Sequence, residues 1–284
     1  MFAEIYTRLI KGISGNGSGS IVINASPNKR VFAFQLQLTY SGGTNTLAAL
    51  MTALTEIRVK VGTAVKWRLN GTQLRDHLLL FGTTYDFNGT PNTGCQVTIP
   101  LAPERFRAEV QDALAWNPVK LGGQISVEID SSATLTVVPY EIVAENLDAP
   151  SAGILTLEVI KPVAGGVAFW TNNEIERRGM LLLSSIYPDS GASNEITPAS
   201  LYLDDVPAHE ALSSAQNDEV LERKGLTPAA SGRTANIYDI VAVKDDMLTR
   251  GFNLEAYSSA KLKVEAAAAM SGTCSIVLLR LERK

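Results

Sequence analysis

Cysteine is scarce: Cys95 and Cys274 are the only two in 284 residues. One possible pair, far apart in sequence, cannot build a disulfide framework, so each is expected to be a small buried thiol. Histidine is equally scarce, with only His77 and His209. No run approaches the roughly 20 apolar residues of a membrane span. The first residues lack a basic region followed by an apolar run and a cleavage site, so no export signal is expected. On that expectation the Asn-x-Ser/Thr sites at Asn16, Asn24, Asn70 and Asn88 carry no glycan and the chain stays in a reducing cell. A basic excess is missing too: the net charge is −4. That leaves no electrostatic footprint for wrapping nucleic acid. The two dense basic stretches, Glu176-Arg177-Arg178 and Arg280 to Lys284, read as solvated strand ends.

Catalytic signatures are missing as well. No G-x-S-x-G elbow and no G-x-x-x-x-G-K-[ST] phosphate loop occurs. The glycine-rich stretch Gly15 to Gly19 has no Lys and no following helix, and reads as a turn. His77 and His209 fall in two different candidate helices, so a site built from both is not expected. The acidic pairs Asp204-Asp205 and Asp245-Asp246 lack Ca²⁺-loop spacing and read as solvated turns. The expectation is no enzyme, no cofactor and no metal.

What is present is strand signal. Hydrophobic residues make up 45% and charged residues 19%, enough for sizeable cores. In Arg30 to Tyr40, Phe32, Phe34, Leu36, Leu38 and Tyr40 share one face of an alternating strand. Ile57, Val59 and Val61 align in Glu56 to Val61, and Ile125, Val127 and Ile129 align in Gly122 to Ile129. Leu135 to Val143 continues the pattern, with Pro139 pointing to an edge strand or a bulge. Gly- and Asn-rich punctuation at Ser41 to Gly43, Asn88-Gly89, Asn92 to Gly94 and Gly122-Gly123 fits a sandwich. Helical spacing is confined to Thr72 to Phe81, stopped by Gly82, and His209 to Lys224, stopped by Gly225. Asn146 to Gly153 reads as a linker. Phe2, Ile5, Tyr6, Leu9 and Ile10 fit either an amphipathic, membrane-touching helix or a strand.

Laid over one another, the two halves repeat. Arg30 to Gly43 matches Arg178 to Gly191. Thr55 to Gly82 matches Pro198 to Gly225 over equal lengths, each a strand, a tight polar turn and a helix closed by Gly. Cys95 to Leu101 matches Ile237 to Val243. Leu121 to Glu145 matches Ser258 to Arg283, both written as an alternating strand, a small-residue turn and a second alternating strand, hence a hairpin. The parallel of Ala3 to Gly12 with Leu155 to Ala164 favours a strand at the N-terminus. The fold expected is all-β: two tandem jelly-roll sandwiches, residues 1–148 and 149–284, each with a short inserted helix.

The long apolar strand ending Tyr40-Ser41-Gly42, the EIRVKV strand from Glu56 and the TQLRDHLLLFG helix carry a resemblance. So laid out, the chain resembles the double-jelly-roll major capsid proteins of tailless, membrane-containing icosahedral dsDNA phages, of corticovirus or tectivirus type. It departs from them in showing no obvious long tail. The resemblance implies a homotrimeric, pseudo-hexagonal tile of a virion shell, assembled in the host cytoplasm. Its implied partners are neighbouring capsomers, penton and minor capsid or membrane proteins, and peripherally the internal lipid membrane. No specific nucleic acid is implied. Trp67, Trp116 and Trp170 are candidate interface anchors, each also readable as core. The alternative from the residues is a β-sandwich binding module, such as a receptor- or glycan-binding virion spike.

Overall fold

Alternation along the chain becomes strands wherever one face can be buried. The computed structural model describes residues 5–10, 15–40, 46–81, 95–103, 108–145, 147–160, 169–187, 196–209, 212–242, 251–266 and 275–283. It divides into two compact units. Unit 1 comprises Met1–Leu78, Thr83–Leu155 and Arg283–Lys284; unit 2 comprises Leu79–Gly82 and Thr156–Glu282.

Unit 1 contains β1 (Tyr6–Leu9), β2 (Gly15–Asn24), β3 (Arg30–Tyr40), β4 (Leu54–Val61), β5 (Ala64–Leu69), β6 (Cys95–Pro100) and β7 (Ile125–Ala144). Over Ile125–Ser131, β7 lies between β4 and β2; over Leu135–Val137 it lies between β3 and β2, and over Tyr140–Val143 between β3 and β1. One strand therefore serves two antiparallel sheets, ordered β5-β4-β7-β2 and β6-β3-β7-β1. Beyond Ser131 the ladder with β4 ends, and the Ser131 hydroxyl donates to Ala133 O and accepts from Ala133 N. Opposite it, β2 shifts register between Gly17 and Gly19.

This corrects three expectations. Leu121 to Glu145 is not a hairpin, because Ser131-Ser132-Ala133 has no residue suited to a reversing turn and the strand keeps its direction. Gly15 to Gly19 is no turn but the start of β2, where Gly19 at φ 120° absorbs the shift. Pro139 is interior rather than at an edge: its carbonyl accepts from Ile10 N, and its missing N–H falls where the pairing with β1 stops. The N-terminal segment forms a strand over Tyr6–Leu9.

Unit 2 contains most of β8 (Ile154–Ile160), then β9 (Phe169–Glu174), β10 (Met180–Tyr187), β11 (Ile196–Leu203), β12 (Val206–His209), β13 (Tyr238–Val241), β14 (Phe252–Asn253), β15 (Ala260–Ala266) and β16 (Ser275–Glu282). Its sheets run β12-β11-β15-β9 and β13-β10-β16-β8, with β14 also on β10. Strand for strand this is the order of unit 1, with β15 and β16 standing for the two arms of β7. The repeat read in the sequence is thus present in the pairing. Ser258 to Arg283 is likewise no hairpin, since β15 and β16 belong to different sheets.

Between the sheets of unit 2, Leu181, Ile186, Tyr238, Ile240, Ile276 and Leu278 meet Ala199, Leu201, Leu203, Leu262 and Val264. In unit 1 most of the expected faces are buried: Phe32, Phe34, Leu36 and Leu38, then Ile57 and Val59, then Ile125, Val127 and Ile129; Val61 is half-buried and the side chain of Tyr40 lies outside the described residues. Each such large side chain contributes about 1.5–3 kcal/mol on leaving water.

Helices fill the connections. α1 (Leu47–Ala53) is capped by Thr46, whose hydroxyl accepts from Ala49 N. α2 (Gly71–Leu80) matches the expected helix, with Asn70 and Gln73 exchanging capping bonds of 2.8 and 3.0 Å. Gly71 is required, because a Cβ there would sit 2.4 Å from Met51 O. α3 (Ala108–Leu114) and α4 (Pro118–Leu121) follow. α5 (Ser214–Arg223) begins later than the expected His209, at a Ser213–Gln216 capping box, and Gly225 at φ 69° follows its end. Val206 to His209 pair with β11 instead, so His209 is a strand residue. The turns at Ser41 to Gly43, Asn88-Gly89 and Asn92 to Gly94, and Gly82, lie outside the described residues.

Candidate functional site

The candidate chemical residues do not converge. His77 is buried on α2 in unit 1 and His209 is half-buried in unit 2. Burial, then the nearby Lys224 charge, holds His209 below its ordinary pKa. Among the described residues no cluster of His, Cys, Asp and Glu could hold a metal ion. Asp245-Asp246 and Cys274 lie outside the described residues. Cys95 is buried, which pushes its thiol pKa up.

Asp204 and Asp205 form the β11–β12 turn at φ 50° and 64°. The Asp204 carboxylate accepts from Ser258 Oγ, Ser258 N and Ser259 N at 2.6–2.8 Å, and Asp205 pairs with Lys261 at 2.9 Å. Asp204 is therefore a clasp between two loops, not a free cation ligand. The Ser258 hydroxyl first, then Ser259 N–H, hold its carboxyl below the usual range. A depressed folded pKa contributes stability above the unfolded value of about 3.9, and that stability is lost as pH falls through the lower folded value. Urea unfolding should show Asp204→Asn weaker than the parent near about pH 6, with the gap closing toward about pH 2. A gap of constant size across that range would contradict the clasp.

Among the described residues one constellation has catalytic-looking membership, and it was missed in the sequence. Ser185 Oγ donates to Asp239 Oδ1 at 2.5 Å, and Arg233 Nη2 donates to Asp239 Oδ2 at 2.6 Å. Asn217 Nδ2 donates to the Asp239 carbonyl at 2.9 Å. All are buried. The Ser185 hydroxyl is buried and its acceptor carboxylate is already paired with a permanent cation, an arrangement that makes a structural clamp. The group ties α5 and the loop after it to β10 and β13. A charged residue inside the apolar run around Tyr238-Asp239-Ile240 is the only sequence signal for it.

Trp67 and Trp116 are core, not interface anchors: both are buried, and Trp67 Nε1 donates to Leu155 O at 2.7 Å. Trp116 is tied by its backbone to Val31, the two exchanging N–H···O bonds of 2.9 Å. The side chain of Trp170 lies outside the described residues. The basic stretches are corrected too. Arg280 is fully buried, with Nη1 donating to Glu176 O at 2.7 Å and Nη2 in an ion pair with Glu158 Oε2 at 3.5 Å. Burial pushes its pKa down from the usual arginine value. Arg178 meets Glu158, Glu176 and Glu282 at 3.3–3.4 Å, so these cations are answered by acids of their own unit.

What the surface offers instead is two contrasting kinds of edge and face. Across β4, β7 and β5, Arg58 pairs with Glu56, Glu128 and Asp130, Lys60 pairs with Glu128, and Arg68 pairs with Glu56. Such a ladder is content in water. The exposed large apolar residues among the described ones are Ile5, Leu9, Val22, Val65, Val119 and Val206. No helix among the described residues is long and apolar enough to cross a membrane.

No protein family and no curated protein matches the chain in sequence. Solved structures do match in fold. The chain is similar to the major capsid protein of bacteriophage PM2, with TM-score 0.75 at 13% identity over 99% of both chains. It is similar to a chain of Sulfolobus Turreted Icosahedral Virus, with TM-score 0.66 at 13% identity over 98% of this chain and 90% of that one. A chain of the PBCV-1 virus capsid gives TM-score 0.62 at 11% identity, covering 99% and 94%. The fold is therefore the all-β double jelly roll, with α2 and α5 as its inserted helices.

Proposed function

We propose that the chain is the major capsid protein of an icosahedral virus and acts through its interfaces, without catalysis. The observation that carries this is the duplication: two jelly-roll units of identical strand order fill the chain, as they fill the capsid chains it matches along nearly their whole length. Residues 1–148 and 149–284 each form one jelly roll. Three chains form a pseudo-hexagonal tile, and tiles pave a shell over an internal membrane and a dsDNA genome. Neighbouring tiles, penton proteins and minor capsid or membrane proteins are its partners. Assembly takes place in the host cytoplasm.

Sheet sandwiches suit this work, because the strands form a packed body and the loops at its ends can differ between contacts. Negative-stain images of the purified chain test the proposal. Flat particles of hexagonal outline, joining into lattice patches as concentration rises, are expected. Small compact particles that never associate would move the assignment to a binding module.

A further inference from the structure

A free strand edge offers unpaired N–H and C=O groups, and proteins blunt such edges by covering them, shortening them, or placing charge or proline there. Most of the described edges follow this rule. β6 and β13 are largely buried, β12 has four residues and a proline, β1 has four residues and Arg8, and β9 carries Glu174. β2 does not follow it. Its ten residues, Gly-Asn-Gly-Ser-Gly-Ser-Ile-Val-Ile-Asn, hold no charge and no proline, and among the described residues it pairs with β7 alone. The charges of its sheet lie on interior strands instead, at Glu56 and Arg58 on β4 and at Glu128 and Asp130 on β7.

The ladder fixes which groups of β2 are open. Ala25 N donates to Ile125 O at 2.9 Å, and hydrogen-bonded pairs recur at every second residue of an antiparallel ladder. Ile23 and Ile21 therefore direct their backbone groups to β7, opposite Val127 and Ile129, and both side chains are buried. Ser20, Val22 and Asn24 direct N–H and C=O away from β7, and all three are exposed, Val22 by 45%. The open stretch has definite ends. Gly19 at φ 120° and the register shift beside it break the strand on one side. On the other, Ser26 N donates to the buried Glu141 carboxylate at 2.9 Å and ties the chain to unit 1.

We propose that this edge pairs with the same edge of a second copy, β2 antiparallel to β2, across a two-fold axis through Val22. This goes beyond the shell-protein reading and stands independently of it. A second copy suits the edge because an isologous contact sets each residue against itself or a close neighbour, where a charge would meet its like. In this register Val22 faces the Val22 of the second copy, and Ser20 faces its Asn24. Each of the three open residues then finds both a donor and an acceptor. An axis perpendicular to the sheet keeps Ile21 and Ile23 of both copies on the core side, so the apolar face runs on unbroken. Only Ser20–Asn24 of each copy take part, so the contact is weak and forms as concentration rises.

The test is cysteine cross-linking of the full chain carrying Cys274→Ser, at high protein concentration. Val22→Cys should give a species of two chain masses on oxidation, since a hydrogen-bonded antiparallel pair holds its Cα atoms about 5.5 Å apart, within disulfide reach. Ser20→Cys alone and Asn24→Cys alone should not link, because the same residue of the second copy lies about 13 Å away along the strands. The two together should link. Val22→Lys alters an exposed side chain and should leave the circular dichroism spectrum unchanged. It should remove the concentration-dependent gain of mass in light scattering and leave the starting particle as it was. If Val22→Cys gives no such species, or if Ser20→Cys alone links as readily, the two-fold junction is wrong, and a shell assignment supported by hexagonal particles is untouched. Loss of association in Val22→Lys without any cysteine link would mean that a different surface meets this edge, which also overturns the proposal. A link at two chain masses in a chain that never forms tiles would leave the junction standing and the shell assignment fallen.

Discussion

Asp239→Ala is expected to lower the stability of unit 2 by about 3–5 kcal/mol, because it strands Arg233 as a buried charge with its main partner gone. For a unit of this size that is a drop in Tm of roughly 10–20 °C. Arg233→Ala should cost a similar amount, by leaving the Asp239 carboxylate buried without the cation it pairs with. The double variant Asp239→Ala with Arg233→Ala should cost well under the sum. Contacting residues of one network are not additive, and removing both charges removes the stranded one. A catalytic reading of Ser185 and Asp239 makes a different forecast, namely little change in stability. Calorimetry of the four chains separates the two. Equal, small and additive effects would contradict the structural clamp.

Trp67→Ala is the second large effect, about 3–5 kcal/mol, from a cavity in unit 1 and the lost bond to Leu155 O. Trp67→Phe keeps most of the volume and leaves that carbonyl short of its donor, so a cost of about 1–3 kcal/mol is expected. The distinction matters for function. If Trp67 anchored a contact between chains, the alanine variant would be a folded single chain. As a core residue it should instead unfold unit 1 at lower denaturant, with dissociation only as a consequence. Following tryptophan fluorescence and particle mass in the same urea titration shows which comes first.

These residues mark where the sequence stopped being legible. The face of β3 was readable because Phe32, Phe34, Leu36 and Leu38 alternate without interruption, and burial follows from period alone. α2 and α5 were readable from local signals, a stop glycine and an apolar stripe. The order of four matched segments was enough to expose the duplication. Each failure depended on a partner distant in the chain. Ser131-Ser132 looked like a turn, but β4 and β2 pair on both sides of β7 there and hold it straight through. His209 has helix-forming neighbours, yet Leu201 on β11 claims it for a ladder. Arg280 sits in a strand end that looked solvated, and its burial rests on Glu176 and Glu158, more than a hundred residues earlier. The Asp239 clamp is assembled from β10, α5, the loop after it and β13, and no spacing in the sequence could have announced it.

The helix α1 was missed for a related reason. Its seven residues, Leu47–Ala53, are too few for a periodic signal, and its stability comes from burying Leu50 and Met51 rather than from propensity.

The most direct measurement of the central claim is the mass of the purified chain in solution by multi-angle light scattering, at low micromolar concentration and moderate salt. A single species at three times the chain mass of 30.5 kDa is the expected result. A stable species at one chain mass, unchanged as concentration rises, would contradict the tile and leave a tandem sandwich with another purpose.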